Sequence, residues 1–356
     1  MTELLVGSKK GLFVLRGTPP DPFAVAHRAF PGEVVEHAIK DPRSGRYLAS
    51  VTSGFYGPRL MLAEDPTGEW RQARGPAFAE GMDAAVARIW TIVVAEEPDV
   101  LYAGTDPAAL WRSEDGGESW HLNRGLWDAP TRPEWQPGGG GLALHSIAPW
   151  PGEPDRLAIG ISAAGVWLTD DRGETWRTGY EGLVAGYLPE EARAETHTFC
   201  VHSMRRAPLR PERLFLQFHG SVYRSDDAGE TWADIAAGLP SGFGFPVAVD
   251  PADADSAYVI PLVADVDRVT PDAQLRVYET RDAGATWEAR GDGLPASNAY
   301  LTVLRQAFGS AASEGSLHLF FGATSGDVFG SADDGATWFT TASRLAPVTS
   351  VRVAAA

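Results

Sequence analysis

The octapeptide SDDAGETW, Ser225 to Trp232, recurs in near-identical form along most of the chain. SEDGGESW begins at Ser113, TDDRGETW at Thr169, TRDAGATW at Thr280 and SADDGATW at Ser331, so the copies fall 51 to 56 residues apart. A degenerate copy, AEDPTGEW, begins at Ala63. A fixed period of this length admits few folds: a propeller or a solenoid, in which each unit buries its apolar faces on its neighbours. The consensus [ST]-x-D-x-G-x-[ST]-W reads as a tight turn between two strands. The Asp carboxylate can accept from turn N–H groups, the Gly takes a positive φ, and the Trp buries its ring as the next strand begins. An aromatic residue precedes each copy at a fixed place: Trp111, Trp167, Tyr223, Tyr278 and Phe329. A residue repeated in every unit answers a need shared by every unit. Asp115, Asp171, Asp227, Asp282 and Asp333 are therefore read as turn residues, not as a catalytic set.

The ends of the chain complete the count. Leu4 to Arg16 aligns with Leu101 to Ser113 but lacks an inner strand before it, while Val348 to Val353 reads as an inner strand with no continuation. Joining the two closes a ring and leaves no open sheet edge. With units beginning near Val35, Ile89, Leu142, Cys200, Phe245 and Tyr300, the expectation is an all-β, seven-bladed β-propeller. It is a single domain, residues 1–356, closed by pairing of the C-terminal strand with the N-terminal blade. Abundant Gly (39) and Pro (26) fit many short strands joined by tight turns.

The boxes resemble the BNR or Asp-box repeat, found in sialidases, some glucan-hydrolysing propellers, photosystem II assembly factors and many other bacterial proteins. The resemblance covers most of the chain. It implies a sialidase-like propeller with the boxes between the third and fourth strands of each blade, on the face away from the binding face. Sialidase chemistry itself is not implied. That activity needs three arginines around a substrate carboxylate and usually an early Arg-Ile-Pro, whereas here the nearest match is Arg88-Ile89-Trp90 and no arginine spacing marks a triad.

With 30 basic against 47 acidic residues the net charge is −17, which repels phosphate backbones and anionic membranes. Nucleic acid and membrane are not expected partners. The lone cysteine, Cys200, excludes an intramolecular disulfide and reads as a buried small hydrophobe. No basic n-region or cleavable apolar stretch opens the sequence, and the expected location is cytoplasmic.

The long segments share the face opposite the boxes, because antiparallel strands reverse at each hairpin. They are Gly75 to Arg88, Arg124 to Gly141, Tyr180 to Thr198 and an insertion from Pro261 to Arg276, and ligands favour such connections. Inner-strand alignment places His37, His145 and His202 at equivalent positions near the channel axis, with Trp90 matching in blade 3 and Pro246 in blade 6. His219 and His197 are expected on the same face. Four imidazoles there, His37, His145, His202 and His219, form a candidate metal set for Zn, Fe or Cu. Glu36, Trp90, Trp127, Trp135, Gln217 and Tyr300 are the candidate pocket residues. Alternatively, the histidines pack between blades and bond to backbone carbonyls.

Three functions follow from this pattern. The first is a small-molecule site centred on the histidines, with metal-dependent or hydrolase-like activity. The second is a glycoside-binding or glycoside-hydrolysing propeller, for which Glu36, Asp83, Asp106, Asp128, Glu134 and Asp265 are candidate carboxylates and Phe55 and Tyr56 further stacking surfaces. The third is a non-catalytic interaction scaffold.

Overall fold

The computed structural model describes residues 1–193, 198–313 and 315–355; His197 lies outside them. Nearly every regular element is a strand. Five four-stranded antiparallel sheets stand beside one eight-stranded sheet. The eight-stranded sheet is two blades joined by one parallel contact, Gln306 to Ser350. Among the described residues this makes seven four-stranded blades. Their inner strands, taken from blade 1 to blade 7, are Val348–Ala355, Val34–Lys40, Arg88–Val94, Leu144–Trp150, Val201–Arg206, Gly244–Asp250 and Val303–Ser313. The ring closes as expected: Val348–Ala355 runs antiparallel to Thr2–Ser8, with Leu5 opposite Arg352 and Val6 opposite Val351.

Each blade is covered on both faces, which explains its sequence. The second strand of blade 5, Leu214–Phe218, is buried at every position, so apolar residues occupy both faces instead of alternating with exposed polar ones, and its one polar residue, Gln217, is hydrogen-bonded. The core lies between sheets. Tyr102 and Leu110 of blade 3, for example, pack with Ile147, Ile159 and Trp167 of blade 4. Gly104 marks how closely blades approach: a Cβ there would sit 2.2 Å from the Leu144 carbonyl oxygen.

The boxes are turns between the third and fourth strands. At Asp227 one carboxylate oxygen accepts from the Thr231 N–H (2.9 Å) and the Ser225 hydroxyl (2.7 Å), and the other accepts from the Thr231 hydroxyl (2.6 Å). The Ser225 oxygen in turn accepts from the Gly229 N–H at 2.8 Å, with Gly229 at φ 102°. The same set recurs at Asp115, Asp171, Asp282 and Asp333. Every hydrogen-bonding oxygen of these carboxylates is committed within its own turn, so they serve structure.

Candidate functional site at the channel mouth

The inner strand of every blade breaks register where it meets the loop face. One residue or more is skipped there in the pairing with the next strand of the blade: Thr349, Glu36, Trp90, His145, His202, Phe245-Pro246, and the run Leu304 to Ala307 in blade 7. A bulge re-aims its side chain, here at the start of the strand nearest the axis. This ring corrects the alignment of the histidines. Glu36, not His37, stands level with His145 and His202, and His37 falls one residue further on, level with Ser146 and Ser203.

That single step changes the role of His37. Its Nδ1 accepts the Ile92 N–H of the next blade at 3.1 Å, as Ser146 Oγ accepts the Met204 N–H at 3.0 Å. His145 is also committed between blades, since its Nε2–H donates to the Val201 carbonyl at 2.8 Å and its Nδ1 lies 3.1 Å from Ser146 Oγ. Burial holds both imidazoles well below the usual histidine pKa and hence neutral. The four-histidine set is therefore not assembled as one cluster. What meets instead is His202, His219 and Cys200, whose ligand atoms all lie within 4.8 Å of one another. Cys200 is not a buried strand hydrophobe but a half-buried thiol just ahead of the inner strand, its pKa raised by burial.

These three line a cleft of about 540 Å³ formed by the long loops: Pro137 to Gly140, Tyr187, Phe243, Phe245, Asp265, Arg268 and Arg305 complete its wall. His202 Nδ1–H donates to the Gly244 carbonyl at 2.6 Å, and His219 Nε2 stands 3.6 Å from Asp265. Arg305 spans the mouth. Its guanidinium lies 4.7 Å from the Phe245 ring and 5.9 Å from the Trp90 ring, with no hydrogen bond or ion pair to any described residue. Burial pushes its pKa down to about 10, so it remains a cation at neutral pH.

Across the mouth, Arg88 pairs with Glu36 at 3.3 Å, stands opposite Asp106 in the ladder, and lies 4.7 Å from the Trp90 ring. Burial raises the pKa of both Glu36 and Asp106, with Arg88 opposing the shift. The remaining candidates sit elsewhere. Trp127 and Trp135 sandwich Arg132, at 3.6 and 5.2 Å, in the loop that contains the short helix Arg124–Trp127. Gln217 is 1% exposed and donates to the carbonyls of Phe218 and Gly242. Tyr300, 68% exposed, precedes blade 7, while Asp83 and Glu134 are exposed and Asp128 pairs with Arg124. Arg305 escaped the sequence reading because its strand has no histidine to align. Its signal was its place two residues after Val303, where the seventh inner strand begins.

The architecture defines a β-propeller. No family model matches the chain. A curated xyloglucanase from Paenibacillus is 24% identical over 223 residues, which is 54% of this chain and 20% of that enzyme. Among solved structures, a GH74 xyloglucanase from Xanthomonas campestris superposes with a TM-score of 0.64 at 14% identity, covering 96% of this chain and 52% of that one. An ancestral GH74 enzyme gives a TM-score of 0.55 at 15% identity, over 90% of this chain and 38% of that one. YCF48 from Cyanidioschyzon merolae gives 0.55 at 14% identity, over 86% and 84%. The chain thus spans a fifth of the curated relative and about half of the Xanthomonas enzyme.

Proposed function

We propose that the loop face binds an oligosaccharide at the channel mouth, as an Asp-box propeller related in architecture to glycan-cleaving enzymes. The observation that carries this reading is the cleft at the mouth, where half-buried Arg305, with no hydrogen-bond or ion-pair partner among the described residues, lies 4.7 Å from the Phe245 ring and 5.9 Å from the Trp90 ring. A guanidinium donates to the hydroxyl or carboxylate oxygens of a sugar, and half-buried Trp90 offers an aromatic surface beside it, while Phe245 is buried and backs the site. Exposed Phe55 and Tyr56 extend the stacking surface from a blade 2 loop of the same face. The likeness to proteins named xyloglucanase supports the ligand class. Glu36 and Asp106, flanking Arg88 with raised pKa values, are the pair through which hydrolysis would run.

Calorimetric titration with xyloglucan oligosaccharides and with oligogalacturonate tests this and separates a neutral from an acidic sugar. Binding of one or both should weaken at least about tenfold in Arg305→Gln and in Trp90→Ala, the loss expected for a charge-assisted contact worth about 1.5–3 kcal/mol. No binding of either would leave the scaffold reading in its place. Release of reducing ends that disappears in Asp106→Asn would extend the reading to hydrolysis.

A second reading rests on the Cys200, His202 and His219 group. Each imidazole has one nitrogen beside a carbonyl or carboxylate oxygen, the kind of support a metal-ligating histidine uses. A thiolate with two imidazoles suits Zn²⁺ and leaves a fourth position toward the cleft. Elemental analysis of protein purified with added zinc should find about one equivalent, lost in His202→Ala; no bound metal would remove this reading and leave the glycan reading untouched.

A further inference from the structure

The far end of the channel, on the face of the boxes, holds a second cavity of about 390 Å³ lined by inner-strand residues. Its titratable lining is wholly basic: His37, Lys40, Arg205 and Arg352, with no carboxylate among the described residues. This is a basic island in a chain of net charge −17. Arg205 and Arg352 both donate to one carboxamide oxygen, Gln306 Oε1, the former at 3.4 Å. Their other bonds go to backbone carbonyls of Met204, Gln306 and Val351, and neither forms an ion pair with a described residue. A guanidinium does not give up its proton in a protein, and two of them held against one neutral acceptor repel each other. Burial lowers Arg352 to about 9, with Arg205 adding to the shift, and both remain charged at neutral pH.

His37 adds a donor to the same cavity. Its Nδ1 accepts from the Ile92 N–H, so the neutral ring carries its proton on Nε2. That atom is buried with no hydrogen-bond partner among the described residues, in a residue 1% exposed that lines the cavity and feels the charge of both arginines. Two guanidinium forks, an imidazole N–H and the nearby Lys40 ammonium present donors and positive charge, with no carboxylate among the described lining residues to offset them.

We propose that this cavity is a binding site for a small oxyanion, a molecule carrying phosphate or carboxylate groups. The planar fork of arginine matches either group in bidentate fashion, and the anion supplies a countercharge that none of the described lining residues provides. The site is separate from the cleft at the channel mouth and does not rest on the glycan reading. Its small volume excludes the nucleic-acid backbones that the overall charge already repels.

The probes are inorganic phosphate and citrate, titrated by calorimetry and thermal melting against chloride at matched ionic strength. The full chain should show saturable stabilisation at one site by one or both, and the preferred probe tells phosphate from carboxylate chemistry. Arg352→Gln removes one of two repelling charges. It should melt at or above the wild-type temperature without anion, yet lose at least tenfold in affinity. Arg352→Lys, which keeps the charge without the fork, should bind with intermediate affinity, and Trp90→Ala at the other end should bind as wild type does. Absence of saturable stabilisation by both probes, or an Arg352→Gln protein that is less stable but responds to anion unchanged, would overturn the proposal.

Discussion

Each buried imidazole on an inner strand ties the protein's stability to pH. His145 has both ring nitrogens engaged and is held well below the ordinary histidine pKa by burial, with the Arg305 charge adding to the effect. The unfolded chain therefore takes up a proton below about pH 6.5 that the folded chain refuses, so this contribution is intact above that pH and is lost as the pH falls below it. The slope is about 1.4 kcal/mol per pH unit for each imidazole that stays neutral. Urea midpoints at pH 7.5 and 5.5 should separate more in the wild type than in His145→Gln, and equal separations would show that His145 does not resist protonation. Box residues act locally. Asp227→Ala removes the acceptor of three turn hydrogen bonds and should cost about 1–2 kcal/mol without altering ligand affinity. Trp232, buried against blade 4, should cost about 3–5 kcal/mol as Trp232→Ala. Ligand loss in Asp227→Ala at unchanged stability would mean that the faces are assigned the wrong way round. At this scale the sequence was legible wherever a residue is repeated, because repetition marks a shared packing need. His37 was misplaced by one residue because a bulge leaves no mark in a single strand. Counting back from the next turn exposes it: His37 stands four residues before Asp41, the residue ahead of Pro42, whereas His202 stands five before Ala207, the residue ahead of Pro208.

At the scale of elements, the C-terminal strand carries the closure. Val348–Ala355 pairs along Thr2–Ser8 and touches blade 7 through Gln306, so its removal bares inner edges of two blades at once. A chain ending at Pro347 should lose its cooperative thermal transition or melt far below the full chain, and an unchanged midpoint would contradict the closure. This element could be read from sequence because a strand without a partner at one end matched a gap at the other. The loops could be read as long but not as shaped. Trp127 and Trp135 look like a sugar platform until the fold slides Arg132 between them, a contact that no spacing in the sequence reveals. Cys200 was passed over for a related reason, since its partner His219 comes from a different loop.

For the whole molecule, the propeller divides labour between its faces. The box face is held by turns whose carboxylates are satisfied internally, while the loop face gathers Trp90, Phe245, Arg305 and the Cys200 group around the channel mouth. The period of the boxes made the architecture legible, since a closed ring of like units follows from it. The site was less so, because it is built from positions that differ between blades and meet only near the axis. Hydrogen–deuterium exchange with and without a saturating xyloglucan oligosaccharide or oligogalacturonate tests this division most directly. Protection should appear in peptides containing Trp90, Cys200 to His202, His219, Phe243 to Phe245 and Arg305, with none at the five box turns. Protection at the boxes with the loop face unchanged would contradict it.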